Sequence, residues 1–227
     1  MLLQEDIDYC VRGLPAELGD ELHEHPNLVI AGGYMRWKIA NEKASDIDVF
    51  APTAQEAKEA AARLAKKLKA TVITTDNACT LIGDKLPFPI QFIHKWTYGT
   101  PGDVIQSFDF TISQAAIYFA SNGQSGMKSG MKWQSVCSDR FYADLAAKRL
   151  VYAGSNCPGG TMLRMAKFLR RGYRISPENM AGIVTDVAGE ASSIDASKGE
   201  SMRTAILGLL RSVDPLVTGM AEAKREI

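Results

Sequence analysis

Apolar residues along the chain change their spacing repeatedly, and each change marks an element. Leu28-Val-Ile-Ala31 is a short unbroken apolar run between Pro26-Asn27 and Gly32-Gly33, the pattern of a buried strand, and Gly33 to Ala40 reads as the opening of a helix. Asp46-Ile-Asp-Val-Phe50 alternates polar and apolar, as a half-buried strand does. In Ala54 to Lys69 the apolar positions Ala57, Ala61, Leu64 and Leu68 recur at helical intervals, while Glu56, Lys58, Glu59, Lys66 and Lys67 mark a solvated face. Residues 70–75 and 79–82 around Asp76-Asn77 predict a hairpin, and 89–96 a further strand. Thr100-Pro-Gly-Asp103 starts a short helix. In 108–113, Phe108, Phe110 and Ile112 fall on one face of a predicted strand, and Asp109, Thr111 and Ser113 on the other. The Gly, Ser and Asn of 121–130 predict a mobile loop, a long connection rather than a lid. Beyond Gly159 helical spacing takes over at 161–171, 177–188 and 200–210, with a Ser- and Ala-rich connection at 190–198. The alternation predicts an α/β (α+β) fold with a mixed sheet flanked by helices, residues 1–155, followed by a small helical region, residues 156–227. No internal repeat is evident.

The strand-borne pair Asp46 and Asp48 changes this picture from architecture to chemistry. Side chains two apart on a strand point the same way, so both carboxylates share one small space while Ile47 and Val49 face the core. Two such groups repel one another unless a cation intervenes, and Mg²⁺ or Mn²⁺, which accepts carboxylate oxygens and keeps substrate phosphates in its shell, removes the conflict. The Gly32-Gly33 turn between strand and helix offers the complementary feature. Without Cβ atoms the backbone there is approachable, and the N–H groups and dipole of the helix favour phosphate. Arg36 adds a charged fork for the same anion. Asp109, on the polar face of its predicted strand, is the candidate third acid, with a loop-capping role as the alternative. A cluster of three would hold two cations, one at the attacking hydroxyl and one at the leaving pyrophosphate.

Composition narrows the class. At 227 residues with 46% hydrophobic side chains the chain buries one sizeable core. No apolar run reaches the length of a membrane span, and the acidic start Met-Leu-Leu-Gln-Glu-Asp is unlike a signal peptide, so a cytoplasmic protein without membrane contact is expected. Cys10, Cys79, Cys137 and Cys157 are widely separated and form no Cys-Xaa-Xaa-Cys pair, which predicts reduced, mostly buried thiols. His23 and His25 flank Glu24 before Pro26 and read as a solvated helix end rather than a metal site, and His94 reads as structural. Acidic and basic residues number 26 each, so the formal charge is zero. Proteins held on nucleic acid by many phosphate contacts carry a basic excess, because counterion release supplies the affinity. Nucleic-acid contact is therefore expected to be local. The strip from Arg164 to Arg174, with Lys167, Arg170 and Arg171, is its one candidate, weighed equally with an ordinary basic surface.

Taken in order, these motifs resemble a known family. Val29-Ile-Ala-Gly-Gly-Tyr-Met-Arg36 followed by Asp46-Ile-Asp48-Val-Phe is similar to the signature of the nucleotidyltransferase superfamily, in particular the head domain of poly(A) polymerases and class II tRNA CCA-adding enzymes. Asp109-Phe-Thr-Ile-Ser113 with Ala115-Ala-Ile-Tyr118 resembles that family's Arg-Arg-Asp-Phe-Thr segment. Asp144-Leu145 through Arg149-Leu-Val-Tyr-Ala-Gly154 resembles the short strand region after it, and Leu163 to Glu178 the helix that ends in Gly-aromatic. The match runs over residues 28 to 187. It departs at Trp37, where the family carries Asp after Arg, and at Ser107-Phe108, which replaces two arginines. The base-selecting Glu-Asp-Xaa-Xaa-Arg segment is missing from the sequence, so CCA-adding specificity is not expected. The Phe-Asp-Phe-Thr form with the Arg-Gly-Tyr helix is also similar to small nucleotidyltransferase-like proteins of bacteriophages and large viruses.

The resemblance implies transfer of a nucleoside monophosphate from an NTP to an acceptor hydroxyl, with release of pyrophosphate. In that reading Asp46, Asp48 and Asp109 are catalytic and metal-binding, and Mg²⁺ or Mn²⁺ is the cofactor. Gly32, Gly33, Arg36, Ser45, Arg164 and Lys167 bind the nucleotide. An RNA 3′ end is the favoured acceptor. The alternatives are nucleotidylation of a protein or small molecule, and a degenerate scaffold that binds a nucleotide or partner without turnover, which the departures at Trp37, Ser107 and Phe108 motivate.

Overall fold

The computed structural model describes residues 1–42, 45–121, 130–198 and 201–211. Residues 122–129 of the predicted 121–130 loop lie outside the described residues. The chain forms two compact units, one of residues 1–108 and 112–145, the other of residues 109–111 and 146 onward. No helix among the described residues is long and apolar enough to cross a membrane.

The first unit begins with two helices, α1 (Gln4–Arg12) and α2 (Ala16–Glu24), that the hydrophobic spacing did not announce. There follow β1 (Val29–Ala31), α3 (Gly33–Ala40), β2 (Ile47–Phe50), α4 (Ala54–Leu68), β3 (Thr71–Thr74), β4 (Ala78–Ile82), β5 (Ile90–Ile93) and α5 (Pro101–Gln106). After a 3-10 turn at Thr111–Ser113, β6 (Ala115–Ser121), β7 (Met131–Cys137) and α6 (Phe141–Ala146) complete it. The described strands form one seven-stranded sheet in the order β3-β4-β5-β2-β1-β6-β7, in which β2 and β5 are parallel and every other neighbouring pair antiparallel. This mixed sheet flanked by helices is the α/β architecture expected from the sequence.

One face of the sheet carries Val29, Ala31, Phe50, Ala78, Ile93 and Ala116, packed against Val104 and Ile105 of α5. Ile30, Ile47, Val49, Leu81 and Phe92 alternate with them and are fully buried, as are Ala57, Ala60 and Leu64 of α4. The capping chemistry fits. Thr53 accepts a hydrogen bond from the Glu56 amide at the start of α4, and Thr100 with Asp103 forms a reciprocal capping box on α5. Glu21 of α2, with no exposed side-chain surface, receives Arg63 Nε at 2.8 Å and Lys67 Nζ at 3.2 Å from α4 and so ties the two helices together. On α3, the Tyr34 hydroxyl donates to the Cys10 carbonyl at 2.6 Å, anchoring α1.

The second unit holds β8 (Arg149–Leu150), α7 (Pro158–Arg170), β9 (Arg174–Ile175), α8 (Pro177–Lys198) and α9 (Met202–Arg211), with β8 and β9 parallel. Phe110 meets Phe168 edge-on at 5.7 Å, and Phe168 meets Tyr173 at 5.5 Å. A Cβ on Gly159 would lie 2.6 Å from the Leu209 carbonyl oxygen, so glycine is what permits the close approach of α7 and α9.

Two sequence expectations are corrected. The Ser- and Ala-rich stretch 190–198 is the last part of α8, not a connection. Ser192 and Ser193 return their hydroxyls to the carbonyls of Ala188 and Gly189, and Ala191 is fully buried against Ala205 and Leu209. The stretch 108–113 is not a strand. Phe110 makes a single bridge to Tyr152, and the chain then winds into the 3-10 turn. Its alternation misled because the polar members Asp109, Thr111 and Ser113 are buried as well, so no solvent face exists for them.

Burial predicts an alkaline weakness. Desolvation, reinforced by Asp6, pushes the Cys10 thiol up from 9.0 to about 12, and burial likewise raises the Tyr34 phenol. The folded chain holds these protons more tightly than the unfolded chain, so the stability they support is intact below about pH 9 and is lost as pH rises toward 12, with a slope of up to about 1.4 kcal/mol per pH unit per group. Urea midpoints measured across that range should fall, and fall less steeply in Cys10→Ala.

Candidate active site

Register brings the glycine turn beside Asp48. In the antiparallel pairing of β1 with β2, Ala31 stands opposite Asp48, and Gly32 is the next residue. On its other side Asp48 lies beside Gln91 of β5, and Gln91 beside Thr80 of β4. Residues paired in this way share a face, so a row Thr80, Gln91, Asp48, Ala31, Ala116 crosses five strands. Asp48 is half-buried on that row. Asp46, also half-buried, immediately precedes β2, and the exposed Ser45 donates its hydroxyl to Asp46 Oδ1 at 2.6 Å.

Gly32 caps α3 with φ at +85°, a conformation that residues with a Cβ rarely adopt. Its N–H donates to the Ala115 carbonyl at 3.0 Å. A Cβ here would lie 2.9 Å from two atoms of the Phe108 ring, which meets Phe50 edge-on at 5.8 Å. The glycine therefore seats an aromatic ring as well as turning the chain. Phe108 is held in turn by its carbonyl, which accepts a hydrogen bond from the buried Gln114 amide at 3.1 Å. Gly33 faces a different neighbour: a Cβ there would be 3.6 Å from Arg36 Nη2. Arg36 thus folds back over the first turn of α3, where no side chain caps the backbone N–H groups, and it pairs with Glu42. Helix dipole and uncapped amides favour an anion at this spot, and Arg36, paired with Glu42, lies against them.

Asp109, Arg164 and Lys167 belong to the second unit. Asp109 is 4% exposed, and its Oδ2 lies 2.6 Å from Arg164 Nε. Arg164 also donates to Thr161 Oγ1, and the Asp109 carbonyl accepts from the Ala153 amide at 2.9 Å. Lys167 is exposed on α7. Thus one expected acid and one expected nucleotide-binding cation are found paired with each other.

Gln91 and Thr80 were not singled out by sequence reasoning, and Phe108 was named only for standing where the family it resembles carries arginine. Gln91 left a trace, a single polar residue in the apolar run Ile90-Gln-Phe-Ile93. Thr80 left none, because its placement depends on long-range register. Elsewhere, Glu21, Glu24 and His25 bring three ligand atoms within 4.8 Å of one another, but Arg63 and Lys67 already neutralise that cluster. His94 bonds the Thr75 carbonyl, as a structural residue would.

Residues 5–148, nearly the whole first unit, match the Gabija anti-defense 2 (Gad2) family. The chain belongs to the Gad2 family. No curated protein matches the sequence. Among solved structures, a CCA-adding enzyme with ATP aligns at TM-score 0.55 and 17% identity, over 96% of this chain and 52% of that one. The Thermotoga maritima CCA-adding enzyme complexed with tRNA aligns at 0.53 and 18%, over 96% and 53%. A tRNA-processing enzyme in an apo form aligns at 0.53 and 19%, over 93% and 57%. The Gad2 chain thus has the nucleotidyltransferase fold and spans about half the length of the enzymes it resembles.

The seating of Phe108 is testable. Gly32→Ala should cost about 2 kcal/mol or more through backbone strain and ring displacement. Adding Phe108→Ala should recover part of that loss, giving a coupling in the double-mutant cycle. Strictly additive unfolding free energies would show that ring and glycine are independent.

Proposed function

We propose that this Gad2 protein is a metal-dependent nucleotidyltransferase that moves a nucleoside monophosphate from an NTP to an acceptor hydroxyl. The observation that supports this reading is Asp48, which register sets opposite Ala31 and so next to the uncapped, Arg36-flanked start of α3, with Asp46 two residues before it in the chain. Two carboxylates with hard oxygen donors are a donor set that suits Mg²⁺ or Mn²⁺. Such an ion, when bound, neutralises phosphate charge and lowers the pKa of a bound hydroxyl.

The chain's own groups do the remaining work. Ser45 fixes the Asp46 carboxylate. The first-turn amides of α3 and Arg36 hold and orient the phosphate tail, so that the acceptor oxygen lies in line with the departing bridge. The bond from acceptor oxygen to α-phosphorus forms, the bond from α-phosphorus to the bridging oxygen breaks, pyrophosphate departs, and the acceptor proton passes to solvent. Positioning and charge neutralisation are what this reaction requires. Asp109 is given a structural role in this reading, as the partner of Arg164.

An RNA 3′ end is the first acceptor to test, because one similar structure is a CCA-adding enzyme with tRNA. A protein hydroxyl is the second reading, favoured by the anti-defense name of the family and by the zero net charge. Labelled NTPs with Mg²⁺ or Mn²⁺, offered to RNA and to host-cell protein, should label one of the two. Asp46→Ala with Asp48→Ala should reduce the labelling by about a hundredfold or more. Asp109→Asn should keep Mn²⁺ binding and lose about 1–2 kcal/mol of stability. Transfer that survives the double substitution would overturn the assignment, and loss of Mn²⁺ binding in Asp109→Asn would return Asp109 to the metal set.

A further inference from the structure

We propose that Gln91 and Thr80 form a neutral hydrogen-bonding subsite beside the acid pair that takes a ribose hydroxyl of the bound nucleotide, an inference that rests on the function proposed above. Three observations lead to it. First, Asp48, Gln91 and Thr80 are neighbours on successive strands and share a face, at the usual spacing of about 4.8 Å between strands. Second, Gln91 is half-buried in a strand whose other members are nearly or fully buried, so it is the one member of β5 whose side chain keeps substantial access from that face. Third, the Thr80 hydroxyl is buried and finds no hydrogen-bond partner among the described residues, although Thr80 as a whole is only 4% exposed.

A buried hydroxyl without a partner is unfavourable and marks a place where a network is incomplete. The neighbouring polar group in its row is the Gln91 amide, which carries both donors and an acceptor. When Gln91 Oε1 accepts the Thr80 proton, its Nε2 donors turn toward the space in front of Asp48. Neither residue has a charge, so the pair suits a hydroxyl rather than a phosphate or carboxylate. On a nucleotide whose phosphates lie at Asp46, Asp48 and α3, the neutral hydroxyls nearest the α-phosphate are those of the ribose. Gln91 contacts the substrate, and Thr80 is a positioning residue that acts through it.

Calorimetric titration with Mg²⁺ tests this on the intact chain, using the tightest-binding of the four ribonucleoside triphosphates and its 2′-deoxy and 3′-deoxy forms. Gln91→Ala should weaken binding of the ribonucleotide about tenfold, and leave unchanged the binding of the deoxy form that lacks the contacted hydroxyl. Thr80→Val should weaken binding about threefold while raising Tm, because it removes the unpartnered hydroxyl, and Thr80→Ser should restore wild-type affinity. Equal losses on ribo and deoxy nucleotides, or wild-type affinity in Gln91→Ala, would overturn the subsite while the proposed function stands. Wild-type affinity in Thr80→Val would overturn the positioning role. If the wild-type chain binds none of the four nucleotides, both the subsite and the parent reading fall.

Discussion

The antiparallel register of Val29–Ala31 against Ile47–Phe50 is the constraint on which the first unit's chemistry depends. It sets Ala31 opposite Asp48, and hence the Gly32 turn and the start of α3 beside that carboxylate. A slip of one residue would turn Asp48 to the opposite, fully buried face of the sheet and bring Val49 into its place. That slip is opposed from both sides, because Ile47 and Val49 are fully buried and Phe50 belongs to the α5-covered cluster. The parallel pairing with β5 repeats the constraint, so hydrophobic burial fixes where Asp48 stands.

The glycine turn shows how packing and chemistry share one position. The missing Cβ of Gly32 makes room for Phe108, and the Gly32 amide is committed to Ala115, so the features that favour an anion are displaced by one residue to Gly33, Arg36 and the first turn of α3. Arg36 is itself buried with Glu42. Such preorganised charge costs less on binding than a flexible side chain recruited from solvent. In the second unit the equivalent commitment is the Asp109–Arg164 pair, in which two groups that look functional in sequence satisfy each other.

Local pattern made much of this legible. The run Leu28 to Ala31, the alternation at Asp46 to Phe50, the periodic helix at Ala54 to Leu68 and the Thr100 capping box each report a structure set by residues a few positions apart. What stayed hidden depends on distant partners. Gln91 becomes interesting only beside Asp48, the packing of the Phe108 ring on Gly32 shows only in the fold, and so does the pairing of Arg164 with Asp109. The strand expected at 108–113 failed for a related reason, since alternation signals a strand when one set of side chains is solvated, and Asp109, Thr111 and Ser113 are not. The acidic cluster at Glu21, missed in sequence, owes its burial to cations more than forty residues away.

A crystal of the protein grown with Mn²⁺ and a non-hydrolysable NTP analogue tests the central claim most directly, because manganese can be placed by its anomalous scattering. The account predicts manganese bound by carboxylate oxygens of Asp46 and Asp48, with the phosphates against the first turn of α3. Manganese confined to Glu21, Glu24 and His25, or nucleotide bound away from α3, would contradict it.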